Sequence, residues 1–165
     1  MNELERRTEL GERLSGFVYG TILVLSVILT GAKAFPHDPG RIAELVAATT
    51  VVFWLAHVYA SGLGHSIAHE EHLSFPVLRS IARREAAILG AGVLPELALL
   101  LGAAGVFSTS ASVWVALLLG LAVLVATGVV SARVEHAGVL GSLVLVLVNL
   151  GLGIVLILLK VLVVH

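Results

Sequence analysis

The sequence predicts an all-α integral membrane bundle of five transmembrane helices, a single membrane domain filling residues 1–165. Three observations carry this. Hydrophobic residues make up 58% of the chain and its mean hydropathy is +1.05, whereas ordinary soluble domains are about 45–50% apolar. The apolar residues gather into runs of about 20, the length that crosses a hydrocarbon core of about 30 Å as a helix. None of these runs alternates in the manner of outer-membrane strands, so a barrel is excluded.

The charged opening segment, MNELERRTELGER, is expected to be a cytoplasmic N-terminus. It carries both signs and precedes no small-residue cleavage signature, so the first apolar run reads as a retained helix rather than a signal peptide. Spans are expected at about 14–34, 45–64, 86–107, 111–130 and 137–164. Between the first two, FPHDPG has two prolines and a glycine that reverse the chain. Between the second and third, SFPVLRSIARRE starts with a serine cap and a proline. It then sets Val77, Leu78 and Ile81 against Arg79, Arg83 and Arg84, as in a short helix on the membrane surface or the start of the third span.

Orientation follows from the basic residues. Arg6, Arg7, Arg13, Arg79, Arg83, Arg84 and Arg133 fall on one side of this arrangement, and Lys33, Arg41 and Lys160 on the other. The N-terminus is therefore expected in the cytoplasm and the C-terminus outside, in a cell inner membrane.

Polar residues inside the spans are the informative ones, because each is costly in hydrocarbon unless it faces protein or water. In the first span Ser15, Tyr19, Ser26, Thr30 and Lys33 share one helical stripe, interrupted by Ile22. Such a stripe lines an aqueous path, or packs against neighbours with its hydroxyls bonded back to its own helix. Thr50, Trp54, His57, Ser61, His65, His69 and His72 likewise keep to one face of the second helix, if that helix continues past Gly62 and Gly64. Glu96 is an acid deep in the third span, beside Pro95. It is a functional candidate, or a packing group paired with His57. Asn149 in the fifth span reads as a helix-packing amide.

His65, His69 and His72, with Glu70 and Glu71 beside them, have a spacing that offers nitrogen ligands to a divalent metal. One helix does not complete a tetrahedral shell, and the chain has no cysteine. No tightly held metal and no cofactor are expected.

A resemblance arises at two short motifs. RLSGF, residues 13–17, opens the first span, and FWLAH, residues 53–57, lies toward the inner end of the second. Together they resemble the paired signatures of the lysosomal and bacterial potassium channels that lack a P-loop filter: Arg-x-x-x-Phe-Ser-Asp in the first helix and Trp-x-x-His in the second. Here Val18-Tyr19 stands in place of Ser-Asp, and five spans are read where a family repeat has six. The resemblance implies that Arg13, Phe17, Trp54 and His57 form a hydrogen-bonded knot behind a first helix that lines the pore of an oligomer.

Three function classes follow. The first is a small homo-oligomeric channel for monovalent cations or protons, in contact with the lipid bilayer. A divalent-metal transporter or metal-binding membrane protein is the second, and a non-transporting scaffold the third. Nucleic acid is not expected as a partner, since the net charge is −1 and no basic run is interleaved with aromatics. Enzymatic activity is not expected either: there is no glycine-flanked nucleophile elbow or phosphate loop, and His69-Glu70-Glu71-His72 places its second histidine one residue too early for a zinc-protease motif.

Overall fold

The computed structural model describes the backbone of residues 3–69, 72, 74–134 and 138–163. Among these residues the chain is all-helical: α1 (Glu3–Ala34), α2 (Pro39–His69), α3 (Phe75–Arg84), α4 (Ala87–Ala103), α5 (Thr109–Val134) and α6 (Val139–Val163). Residues 137 and 164, the expected ends of the last span, lie outside the described residues.

α1 starts well ahead of the apolar run, because the charged segment is itself helical and is supported by an i,i+4 pair in which Arg13 Nη2 lies 2.7 Å from Glu9 Oε1. Its 32 residues reach about 48 Å, well beyond a bilayer core. α2 begins at a proline, where the missing N–H costs nothing, and the Asp38 carboxylate accepts from Arg41 N at 2.9 Å. It runs unbroken past Gly62 and Gly64 to His69. Propensity against glycine is small beside the burial of an apolar helix face.

The third expected span, 86–107, contains α4, and the amphipathic segment before it is a separate short helix, α3. α3 and α4 meet at a 45° bend, where Ala86 N donates to Arg83 O and Ile88 N to Glu85 O. These tight i→i+3 bonds turn the chain within two residues. The sharp break thus lies at Glu85, while Pro95 is buried inside a continuous α4. α4 stops at a Schellman motif: Gly105 takes φ +79°, Val106 N donates to Leu101 O, and Gly105 N donates to Gly102 O. Ser108 then caps α5, its Oγ accepting from Ala111 N at 3.3 Å.

Among the described residues α1, α2 and α5 are long and apolar enough to cross a membrane, and α3 with α4 adds a fourth crossing if the bent pair is one span. The stretch Val139–Val155 of α6 is apolar but shorter. Three to four candidate spans therefore stand where five were expected.

α1 is the hub and touches each of the other helices. Val24, Leu25 and Ile28 of α1 pack against Ile42 and Val46 of α2, Ala98 and Leu99 of α4, and Val113, Leu117 and Leu124 of α5. Gly20 lets α4 approach most closely: a Cβ there would lie 2.8 Å from the backbone oxygen of Ile88. All seven arginines of the expected inner side gather at one end of this bundle. Arg84 meets Glu12 of α1, and Arg7 shares a cleft with Ser131 and Val134 at the end of α5.

Candidate functional site

With α4 and α5 covering one side of α1, the opposite side is left open. Ser15, Tyr19 and Thr30 are exposed there, Ile22 and Ser26 half-exposed, and Lys33 exposed at the far end. The expected stripe is therefore the face of the central helix that its own chain does not cover. The Ser26 hydroxyl donates to Ile22 O at 2.8 Å and the Thr30 hydroxyl to Ser26 O at 2.9 Å. With its proton committed to the helix, each oxygen presents only lone pairs outward.

Two clefts open onto this face and share Gly11, Ser15 and Tyr19. The first, about 550 Å³, lies between α1, α2 and the α3–α4 bend. Its wall is a chain of alternating charges. Arg84 Nε lies 3.2 Å from Glu12 Oε2 and 3.9 Å from Glu85 Oε1. Glu85 Oε2 lies 3.6 Å from His57 Nε2, and Ser61 Oγ donates to Glu85 Oε1 at 3.4 Å. The buried Arg84 Nε makes no hydrogen bond, so its attraction to Glu12 is Coulombic rather than a directed bond. Glu85 is 14% exposed and His57 43%, so the carboxylate is the enclosed member and the imidazole opens to the cleft. The position of Glu85 just before α4 adds the positive end of that helix to its partners. Tyr19 completes the wall, its ring 5.9 Å from that of His57 and 5.2 Å from that of Phe53.

The second cleft, about 640 Å³, lies between α1, α5 and α6. Ser131 and Asn149 face Ser15 and Tyr19 there, among Leu14, Val18, Ile22, Val148 and Leu152. Asn149 Nδ2 donates to Leu145 O at 2.9 Å, whereas its buried Oδ1 has no hydrogen-bond partner among the described residues. Asn149→Leu removes a made bond and an unmet acceptor together, so stability in detergent should change by no more than about 1 kcal/mol. A loss above about 2 kcal/mol would mean that Oδ1 is satisfied by water or another chain.

The resemblance-derived knot is assembled differently. Arg13 is 56% exposed and pairs with Glu9 on its own helix, and the guanidinium beside the His57–Glu85 pair is that of Arg84. Phe17 points to the other side of α1, where its ring sits against Gly90 of α4. Trp54 does tie α2 to the bend, donating from Nε1 to Ala82 O at 3.2 Å. Neither Arg13 nor Phe17 reaches His57, because they lie about 140° and 180° around the helix from the face that Ser15 and Tyr19 share.

The bend also decides the partner of His57. It is Glu85 and not Glu96, which is half-buried about 16 Å further along α4 and makes no ion pair among the described residues. His65 lies on α2 and is half-exposed, His72 is exposed beyond the helix end, and the side chain of His69 lies outside the described residues. Among the described residues no three His, Cys, Asp or Glu side chains gather as a metal-binding group.

Glu85, Arg84 and Glu12 were missed in the sequence reading because each looks like a solvated loop or end charge. One signal was available: Glu85 immediately precedes an apolar run, the position where a carboxylate meets a helix N-terminus. No family model matches this chain, and no characterised protein or solved structure proves similar to it.

Proposed function

We propose that this chain forms a homo-oligomeric channel for small monovalent cations or protons. It crosses the cell inner membrane five times, with the N-terminus in the cytoplasm. The observation that carries the reading is the uncovered polar face of α1, on a helix otherwise enclosed by its own chain. A path on a symmetry axis lined by copies of that face uses what a single chain leaves open. The acceptor-only oxygens of Ser26 and Thr30 suit cations rather than anions. The Glu12–Arg84–Glu85–His57 cluster stands at the inner mouth, where two carboxylates draw cations. The gathering of seven arginines at one end supports the orientation. The resemblance of RLSGF and FWLAH to the signatures of filterless potassium channels implies the same role for the first helix, without specifying potassium.

The same hydroxyl back-bonds also suit a packing face in a scaffold, and the absence of native cysteine makes a clean test between the two. Single cysteines at Ser15, Ile22, Ser26 and Thr30 should react with a membrane-impermeant thiol reagent in proteoliposomes and then block cation flux. Cysteines at the exposed apolar positions Leu55 and Leu118 should stay unreactive. Reactivity along α1 no higher than at Leu55 and Leu118 would sink the channel. Lys33 sits on the same face at the outer end, where a ring of ammonium groups opposes cations. Lys33→Ala is accordingly expected to raise cation flux in the same vesicles, and unchanged flux would move Lys33 off the path.

A further inference from the structure

Neither the path nor the charge cluster makes use of the outer row of α3. Phe75, Arg79 and Arg83 follow one another at four-residue steps and so share one face. Ile81 is buried and Val77 and Leu78 half-buried on the inner side, and the Trp54–Ala82 bond fixes the helix against α2. The outer row is left to the surroundings: Phe75 is 78% exposed and both arginines are exposed. Among the described residues the side chain of neither Arg79 nor Arg83 forms an ion pair or hydrogen bond.

The depth of this row follows from the last turn of α3. Arg84 meets Glu12, and Glu85 meets His57 and Ser61, so α3 ends level with the point where α1 passes from its charged segment into its apolar run. That transition marks the edge of the hydrocarbon, and the rest of α3 lies in the headgroup layer beyond it. An aromatic side chain buries its ring at that depth, while guanidinium groups pair with phosphate oxygens in bidentate fashion.

We propose that Phe75, Arg79 and Arg83 form a binding site for the phosphate of anionic phospholipids in the adjoining leaflet. Two guanidiniums without a carboxylate partner among the described residues complement a headgroup of net negative charge. A zwitterionic headgroup brings its own cation and gains little. Each arginine contributes on the order of fivefold in preference for the anionic lipid. The proposal is independent of whether the chain conducts.

Tryptophan fluorescence reads this site directly, because Trp54 is bonded to α3 and Trp114, near the start of α5, is the chain's one other tryptophan. The full chain carrying Trp114→Phe is placed in phosphatidylcholine vesicles, and brominated phosphatidylglycerol or brominated phosphatidylcholine is introduced as quencher. Quenching of Trp54 should favour phosphatidylglycerol by on the order of tenfold or more. Arg79→Gln with Arg83→Gln should bring the ratio near unity, whereas Arg79→Lys with Arg83→Lys should keep most of it. Equal quenching by the two lipids in the parent overturns the proposal. So does a preference that survives the glutamine pair or is lost in the lysine pair.

Discussion

Gly20→Val is expected to cost about 3 kcal/mol of stability or more, the upper range for overpacking a close contact. The obstacle is backbone: even a Cβ at this position would come within 2.8 Å of Ile88 O and 3.0 Å of Ile88 Cα. Neither rotates away, so α4 must move off α1. Because α1 is the hub, that shift reaches the packing of Val24 against α4 and the position of the α3–α4 bend carrying Glu85. Gly11→Ala is the matching control, since nothing lies within 4 Å of the added carbon. It should be neutral or stabilising by up to about 1 kcal/mol, the ordinary gain of alanine over glycine in a helix. Thermal or denaturant unfolding of both variants in one detergent measures the contrast. If Gly20→Val is as stable as the parent, α1 and α4 are not in this contact.

Glu85→Ala should cost roughly 2–3 kcal/mol, because the carboxylate is the common partner of three groups and is mostly enclosed. Its loss leaves Ser61 without its acceptor and His57 without its carboxylate, and Arg84 keeps only the off-axis contact to Glu12. The partly exposed Glu12 should contribute no more than about 1 kcal/mol on replacement by alanine. A double-mutant cycle between His57→Ala and Glu85→Ala should return a coupling of at least about 0.5 kcal/mol. Additive behaviour would mean that the imidazole and carboxylate do not interact. In the channel reading Glu85→Ala also lowers cation flux, whereas a purely structural Glu85 leaves the flux per folded molecule unchanged.

The all-helical, apolar character of the chain was legible from composition and run length, because burial of apolar surface in hydrocarbon is a local property summed along the chain. The number of helices was not: among the described residues six stand where five were expected, and they supply three to four candidate spans. Helix starts were less so. Apolar runs mark the membrane-embedded portion only, while the backbone continues as helix through ELERRTELGER and through Gly62 and Gly64. The third run shows the limit most clearly: its residues are apolar from 86 onward, yet the run begins at a 45° bend. Hydropathy has no term for direction.

The polar face of α1 was written in the spacing of Ser15, Tyr19, Ile22, Ser26 and Thr30, since a helical repeat converts sequence steps into angles. Which side of the bundle that face would occupy was not, because it depends on where the other helices settle around α1. The pairing of charges was likewise a tertiary outcome. Arg13 and Arg84 are equivalent in sequence as arginines flanking an apolar run, but Arg13 has Glu9 one turn away and takes the local partner. Arg84 is carried by the bend into reach of Glu12 and Glu85. His57 chose between Glu85 and Glu96 in the same way. A carboxylate acts on a histidine over a few ångströms, and only the fold of α3 and α4 against α2 brought one of the two within that distance.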